Sequence, residues 1–240
     1  MDTVQIQPKT HLVWDLPLRL FHWLLALSVI AAIITAQIGG NWMDWHGRIG
    51  INIIALLAFR LAWGIVGTAY ARFAQFAPTP KSILAYVRGQ WRGAGHNPLG
   101  ALSVFALLFV LLSQALSGLY SYDDIAYSGP LYNLVGESVS NRLGSLHYLL
   151  SNVIYALLAL HLGAIIFYAR VKKQNLVRPM LTGYAEASDH TEQPEIRGGG
   201  LLALALALLF AAVAAYAASG VWIAAEPSLP TTPESTMPTW

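Results

Sequence analysis

The chain has 240 residues, 56% of them hydrophobic and only 11% charged, with a formal net charge of +2 at pH 7. That balance is too apolar for an ordinary soluble domain and too weakly basic for a nucleic-acid binder. Cysteine is absent, which removes disulfides, iron–sulfur clusters, thiolate metal sites and thioether-linked cofactors and leaves histidine as the main candidate ligand.

In chain order, residues 1–17 form a polar arm with no signal-peptide cleavage pattern. Asp15 suits a helix N-cap and Pro17 the first turn. A first membrane span is expected at Leu18–Ile38, with Arg19 and His22 in its opening turns. The loop GGNWMDW leads to a second, His46–Val66, which carries Arg48 and Arg60. Residues 67–98 read as a polar loop containing Arg72, Lys81, Arg88 and Arg92; within it SILAYVRGQW is amphipathic enough to lie on a membrane surface. Pro98 opens the third span, Leu99–Leu119, whose Ser113, Gln114, Ser117 and Gly118 suit close helix contact.

The loop Tyr120–Asn141 carries Asp123, Asp124 and Glu137. A fourth span, Arg142–Ala169, follows, and the first four spans make a core over residues 18–169. A charged linker, 170–198, precedes a fifth span, 199–224, dominated by Ala and Leu, and a Pro/Thr-rich tail, 225–240, expected to be extended. The fold class is therefore an all-α, integral membrane helical bundle of four core helices plus a fifth C-terminal one.

Five spans place the termini on opposite sides. Lys9, Arg19, Arg72, Lys81, Arg88, Arg92, Arg170, Lys172, Lys173, Arg178 and Arg197 fall on one side, against Arg48 and Arg142 on the other. The positive-inside rule then puts the N-terminus in the cytoplasm and the C-terminal tail outside.

This topology sets the depth of each histidine within the spans. In the fourth span His147 and His161 are fourteen residues apart; that spacing returns a side chain to within about 40° of the same face after a rise of about 21 Å. His22 and His161 lie at the cytoplasmic depth, His46 and His147 at the outer one. His11, His96 and His190 fall in loops and receive no role. Two imidazoles from facing helices at one depth are what a six-coordinate haem iron takes, one on each side of the porphyrin. The alternative for each is a hydrogen bond to a neighbouring helix. Gly47, Gly50, Gly144 and Gly163, beside these histidines, would let a flat ring approach the backbone.

Arg60 follows His46 by the same fourteen residues, where a cation in hydrocarbon costs roughly 2.5–3.5 kcal/mol. A haem propionate is a natural counter-ion for it, as for Arg48 at the outer depth and Arg19 at the inner; snorkelling to the surface is the alternative. Each depth offers only two histidines and no carboxylate, which is short of a zinc site, and no acid lies at the midplane for a proton-coupled transporter.

WDLPLRLFHWLLAL in the first span, WHGRIG opening the second, Arg60 within it, and HYLLSNVIYALLALH in the fourth resemble the bacterial dihaem cytochrome b561 family and the related cytochrome b subunits of nickel–iron hydrogenases. The resemblance covers about residues 12–175 and not the fifth span. It implies a four-helix bundle holding two non-covalent b haems, His22 and His161 on the inner and His46 and His147 on the outer. Such a protein passes electrons between the quinone pool and a redox partner in a bacterial inner membrane.

The partner expected is a periplasmic c-type cytochrome, docking on outer acids such as Asp44, Asp123, Asp124 and Glu137, or a metalloenzyme subunit that this chain anchors, as in a hydrogenase. A small quinone oxidoreductase acting on a diffusible species such as superoxide is a further redox reading, and a helical scaffold or transporter the non-redox one. Tyr120, Tyr122, Gln114 and Trp45 are quinone-site candidates and equally aromatic-belt residues. No nucleic acid is expected, and a homodimer is admitted.

Overall fold

The computed structural model describes residues 10–91, 97–122, 127–186 and 198–223. A short strand β1 (Thr10–Leu12) leads into α1 (Leu16–Ile38), and α2 (Trp42–Val66) runs back antiparallel to it. Two short helices, α3 (Phe73–Phe76) and α4 (Pro80–Val87), precede α5 (Pro98–Leu119) and α6 (Glu137–Arg170). The short α7 (Val177–Thr182), the strand β2 (Tyr184–Glu186) and α8 (Leu201–Ser219) complete the described chain. By length and composition α1, α2, α5, α6 and α8 can each cross a membrane.

Helix ends follow local chemistry. Asp15 accepts from the Leu18 amide at 2.7 Å and caps α1, with Pro17 in the first turn; Asn97 likewise caps α5 at the Gly100 amide, 2.8 Å, ahead of Pro98. Three boundaries differ from the sequence reading by four residues or more, and one of them is the end of the last helix, at Ser219 rather than 224. Gly39 and Gly40, at φ +69° and +55°, reverse the chain between α1 and α2, so α2 begins at Trp42 and His46 lies one turn inside it. Asp44 in that first turn favours the positive helix terminus. Likewise α6 starts at Glu137, because nothing between Gly136 and Arg142 interrupts a helix and Glu137 favours its N-terminus. Its 34 residues rise about 51 Å, beyond a hydrocarbon layer of about 30 Å. The loop after α2 holds the amphipathic α4, whose Tyr86 hydroxyl hydrogen-bonds that of Tyr168 on α6 while Asn97 Nδ2 donates to Tyr168 at 3.0 Å.

α2 is the axis of the bundle: 44% of its most apolar stretch is buried, against 6% in α6. It packs against α1, α5 and α8, and α5 packs against α6. Leu18, Phe21, Leu25 and Val29 of α1 meet Ile53, Leu57, Phe59 and Trp63 of α2, with Leu111, Ile154, Ala207 and Ala211 closing the cluster. Most other large apolar side chains on the long helices face outward, as lipid contact requires.

The end of the bundle where α1 starts, here the arm end, carries a cap. β1 pairs antiparallel with β2, Leu12 opposite Tyr184. Val13 and Trp14 amides donate to the Gly183 carbonyl at 2.8 and 3.2 Å, and Gly183 sits at φ +90° with no room for a Cβ, which would lie 2.8 Å from the Trp14 carbonyl oxygen. Arg19 NH1 bonds the Leu181 carbonyl and Trp23 Nε1 that of Met180, the latter at 3.3 Å. The opposite, loop end is formed by Gly39–Asn41, the segment after α5 and the first turns of α6.

Asp15 does more than cap. Its second oxygen accepts from Trp63 Nε1 at 3.0 Å and Thr68 Oγ1 at 2.5 Å, and its field reaches the Arg60 guanidinium. Arg60 is 2% exposed; its NH1 donates to the Ala71 carbonyl at 3.0 Å and its plane lies 4.3 Å over Phe73. One carboxylate thus joins α1, α2 and the turn after α2. Asp15→Ala loses a cap and leaves two inward donors unanswered, a cost of about 3 kcal/mol from the cap and unsatisfied-donor terms. The thermal midpoint in detergent should fall markedly, with Asp15→Asn, which keeps the cap acceptor, falling less; equal midpoints for wild type and Asp15→Ala would remove the network from the account.

Candidate cofactor site

At the loop end α2 and α6 bring His46 and His147 together: their ring centroids are 6.1 Å apart and their planes 83° to one another. Each ring is held by a different neighbouring helix. His46 Nδ1 lies 3.0 Å from the Ala32 carbonyl of α1, and His147 Nδ1 lies 2.9 Å from the Gln114 carbonyl of α5. A carbonyl only accepts, so in both rings Nδ1 carries the proton and Nε2 is left with a free lone pair. Ser117 Oγ, donating to the same Gln114 carbonyl at 2.9 Å, stands 3.3 Å from His147 Nδ1.

Around the pair is a cavity of about 460 Å³ between α1, α2, α5 and α6, within the size range of cofactor pockets. Its walls are apolar, with Val29 and Ile33 from α1, Ile53 from α2, Leu111 from α5 and Ile154 from α6. Gly47, Gly50 and Gly144 line it as well, and a Cβ at Gly50 would meet nothing within 4 Å. Gly118 instead makes room for a ligand: a Cβ there would stand 2.8 Å from His147 Cε1. Tyr127, Pro130 and Ser121 close the loop end, and Gln37 Nε2 donates to Tyr155 at 3.2 Å between α1 and α6. Among the described residues none of those lining the cavity is charged.

At the arm end stand His22 of α1 and His161 of α6. The His22 ring packs edge-on against Trp23, centroids 5.1 Å apart, and its Nδ1 is buried without a hydrogen-bond partner. The structure thus sets His46 beside His147, and His22 and His161 on α1 and α6 at the other end. The three arginines are placed differently. Arg19 has a buried Nε with no acceptor. Arg48 is exposed, stacked 5.2 Å over Trp45 and outside the cavity wall. Arg60 is held by Ala71, Phe73 and the field of Asp15. His96 and His190, with Asp123 and Asp124 of the acidic loop, lie outside the described residues.

The profile of the prokaryotic cytochrome b561 family matches residues 13–183, well over half of the chain. The chain belongs to the prokaryotic cytochrome b561 family. It is therefore a multi-pass membrane cytochrome b, a haem b protein of electron transfer. Among its relatives, a probable Ni/Fe-hydrogenase B-type cytochrome subunit of Rhizobium leguminosarum bv. viciae is 22% identical, over 74% of this chain and 90% of the relative. The protein of that description from Cupriavidus necator is 23% identical over 75% and 89%. A probable Ni/Fe-hydrogenase 1 B-type cytochrome subunit of Escherichia coli K12 is 20% identical over 48% and 61%. No solved structure matches the chain.

The residues of this cytochrome b561 fit haem by their own geometry. An imidazole nitrogen stands about 2.0 Å from a bound metal and about 1.1 Å from its ring centroid, so two rings that share one metal ion across it have centroids about 6.2 Å apart. The His46–His147 separation of 6.1 Å is close to that value. What the sequence hid is the support: the carbonyls of Ala32 and Gln114 have no sequence signature, and Ser117 and Gly118 read only as small residues for helix contact. Gly118→Ala should push the His147 ring off its carbonyl. The expected result is a lower haem content and a shifted reduced-minus-oxidised spectrum; wild-type values for both would show that the helices part without consequence.

Proposed function

We propose that this cytochrome holds two b haems in series, one at each end of the bundle, and conducts electrons across the membrane between the quinone pool and a partner outside. In this reading His46 and His147 would hold the haem at the loop end and His22 and His161 the one at the arm end. The observation that carries it is the loop-end pair, two neighbouring imidazoles whose Nδ1–H groups are tied to carbonyls of two other helices. Those bonds fix the tautomer, leave each Nε2 lone pair for a ligand and raise its basicity. Bound haem would supply a one-electron ferric/ferrous couple. The chain's part is to supply the ligands, to exclude water with the apolar walls and to keep the two sites about 21 Å apart along α6. Arg19, whose buried Nε lacks an acceptor, is the cation best placed to take a propionate at the arm end; Arg48 and Arg60 would have to share one with the partners they already hold.

By the distribution of basic residues the arm end faces the cytoplasm of a bacterial inner membrane and the loop end the periplasm. Exposed Asp44 and Glu137 at the loop end suit a basic c-type cytochrome as partner. A second reading, a cytochrome b subunit that anchors a hydrogenase-like metalloenzyme, is favoured by what the relatives' descriptions say of those proteins. Copurification with a c-type cytochrome or with a metalloenzyme subunit separates the two.

The decisive measurement is haem per polypeptide by pyridine haemochrome on purified protein. Wild type should carry two b haems, and His147→Ala and His161→Ala one each. A wild-type content of one, or a content that neither change lowers, would overturn the two-site reading.

A further inference from the structure

α8 lies beyond the stretch, residues 13–183, that the family profile matches, yet it is packed into the bundle against α2 along its length. Both of its ends are fixed. At the arm end Gly198 pairs with Thr68 in a β-bridge, and Gly199, at φ +72°, fits so closely that a Cβ would lie 2.7 Å from Thr68 Cγ2. At the loop end the helix stops at Gly220, at φ +69°, where a Cβ would stand 2.3 Å from the Pro130 carbonyl oxygen. Ala218, 3% exposed, joins Ile54 of α2, Leu119 of α5 and Leu131 in one buried cluster.

The segment that α8 grips is the one that closes the loop-end cavity. Pro130 and Tyr127 line the cavity directly. The segment is laced to the end of α5: the Leu131 amide donates to the Leu119 carbonyl at 2.9 Å and the Gly129 amide to Ser121 at 2.8 Å. Leu119 and Ser121 line the cavity too. The Tyr127 hydroxyl fills the place where a side chain at Gly47, the neighbour of His46, would stand. A shift of the chain at Pro130 therefore moves the wall beside His46 and the end of the helix that carries the Gln114 carbonyl.

We infer that α8 is a positioning element of the loop-end site: the Gly220–Pro130 contact sets the 127–131 segment that closes the cavity around His46 and His147. This rests on the reading of that cavity as a haem site. The arm-end site receives no such closure from the C-terminal end of α8, so the two sites should respond differently when the contact is broken.

The test introduces Gly220→Val, with Gly200→Val at the other end of α8 as control, since a Cβ at Gly200 meets nothing within 4 Å. Two readouts are taken on the full-length protein: the haem components resolved by redox titration of the reduced-minus-oxidised spectrum, and the rate at which a Leu131→Cys thiol, the chain having no cysteine of its own, reacts with a membrane-permeant maleimide. Gly220→Val should lower or shift the component that His147→Ala removes, spare the one that His161→Ala removes, and raise the labelling rate several-fold; Gly200→Val should change neither. Unchanged spectra with unchanged labelling overturn the inference. Equal loss of both components does so too, for α8 would then be a general packing helix. Should His147→Ala remove no component, it is the ligand assignment that fails, and the labelling rate alone decides whether α8 holds the segment.

Discussion

A histidine inside a membrane has two ring nitrogens to satisfy, and lipid satisfies neither. At the loop end of this bundle the first nitrogen of each ring is answered by a backbone carbonyl, Ala32 for His46 and Gln114 for His147. The second, Nε2, is left with its lone pair free for a ligand. That asymmetry organises the site: it requires helices on either side of each ligand helix, close enough for their backbones to be reached. The α1–α2 and α5–α6 packing supplies them. Relatives only 20–23% identical to this chain carry the description of B-type cytochrome subunits.

The arm end obeys a different logic. There His22 Nδ1 has no hydrogen-bond partner, and the polar chemistry belongs to Asp15, which ties Trp63 and Thr68. The Asp15 network thus couples the entry of α1 to the turn after α2. The cap of β1 and β2 over Gly183 then pins the chain that follows α6 to the chain that precedes α1. The arm end is rigid through side-chain polar contacts and chain pairing, the loop end through small residues and close packing.

The sequence made legible whatever depended on local chemistry or on helical spacing. Apolar runs gave the five spans, Asp15 and Pro98 marked helix starts, and the fourteen-residue interval placed His147 and His161 on one face. Boundaries without a stop signal were read short, as at Glu137, and a two-glycine turn was read long, as before Trp42. Contacts across many residues were not legible. Thr10–Leu12 pairing with Tyr184–Glu186 has no pattern of its own, and Arg60, read as a propionate partner, lies over Phe73 because a short helix after α2 brings that ring there. Ser117 and Gly118 were visible only as small residues, since their meaning depends on His147 arriving from another helix.

The two ends also differ in how their ligand rings can respond to a change in charge between them. A carbonyl acceptor on Nδ1 pushes electron density toward Nε2 and favours the more positive state of a bound metal. Both loop-end rings have such an acceptor, and at the arm end His22 has none. Haem bound at the loop end would therefore be the more stabilised in its ferric form, through two hydrogen bonds that the chain itself supplies, and the orphaned nitrogen of His22 at the other end offers no such support.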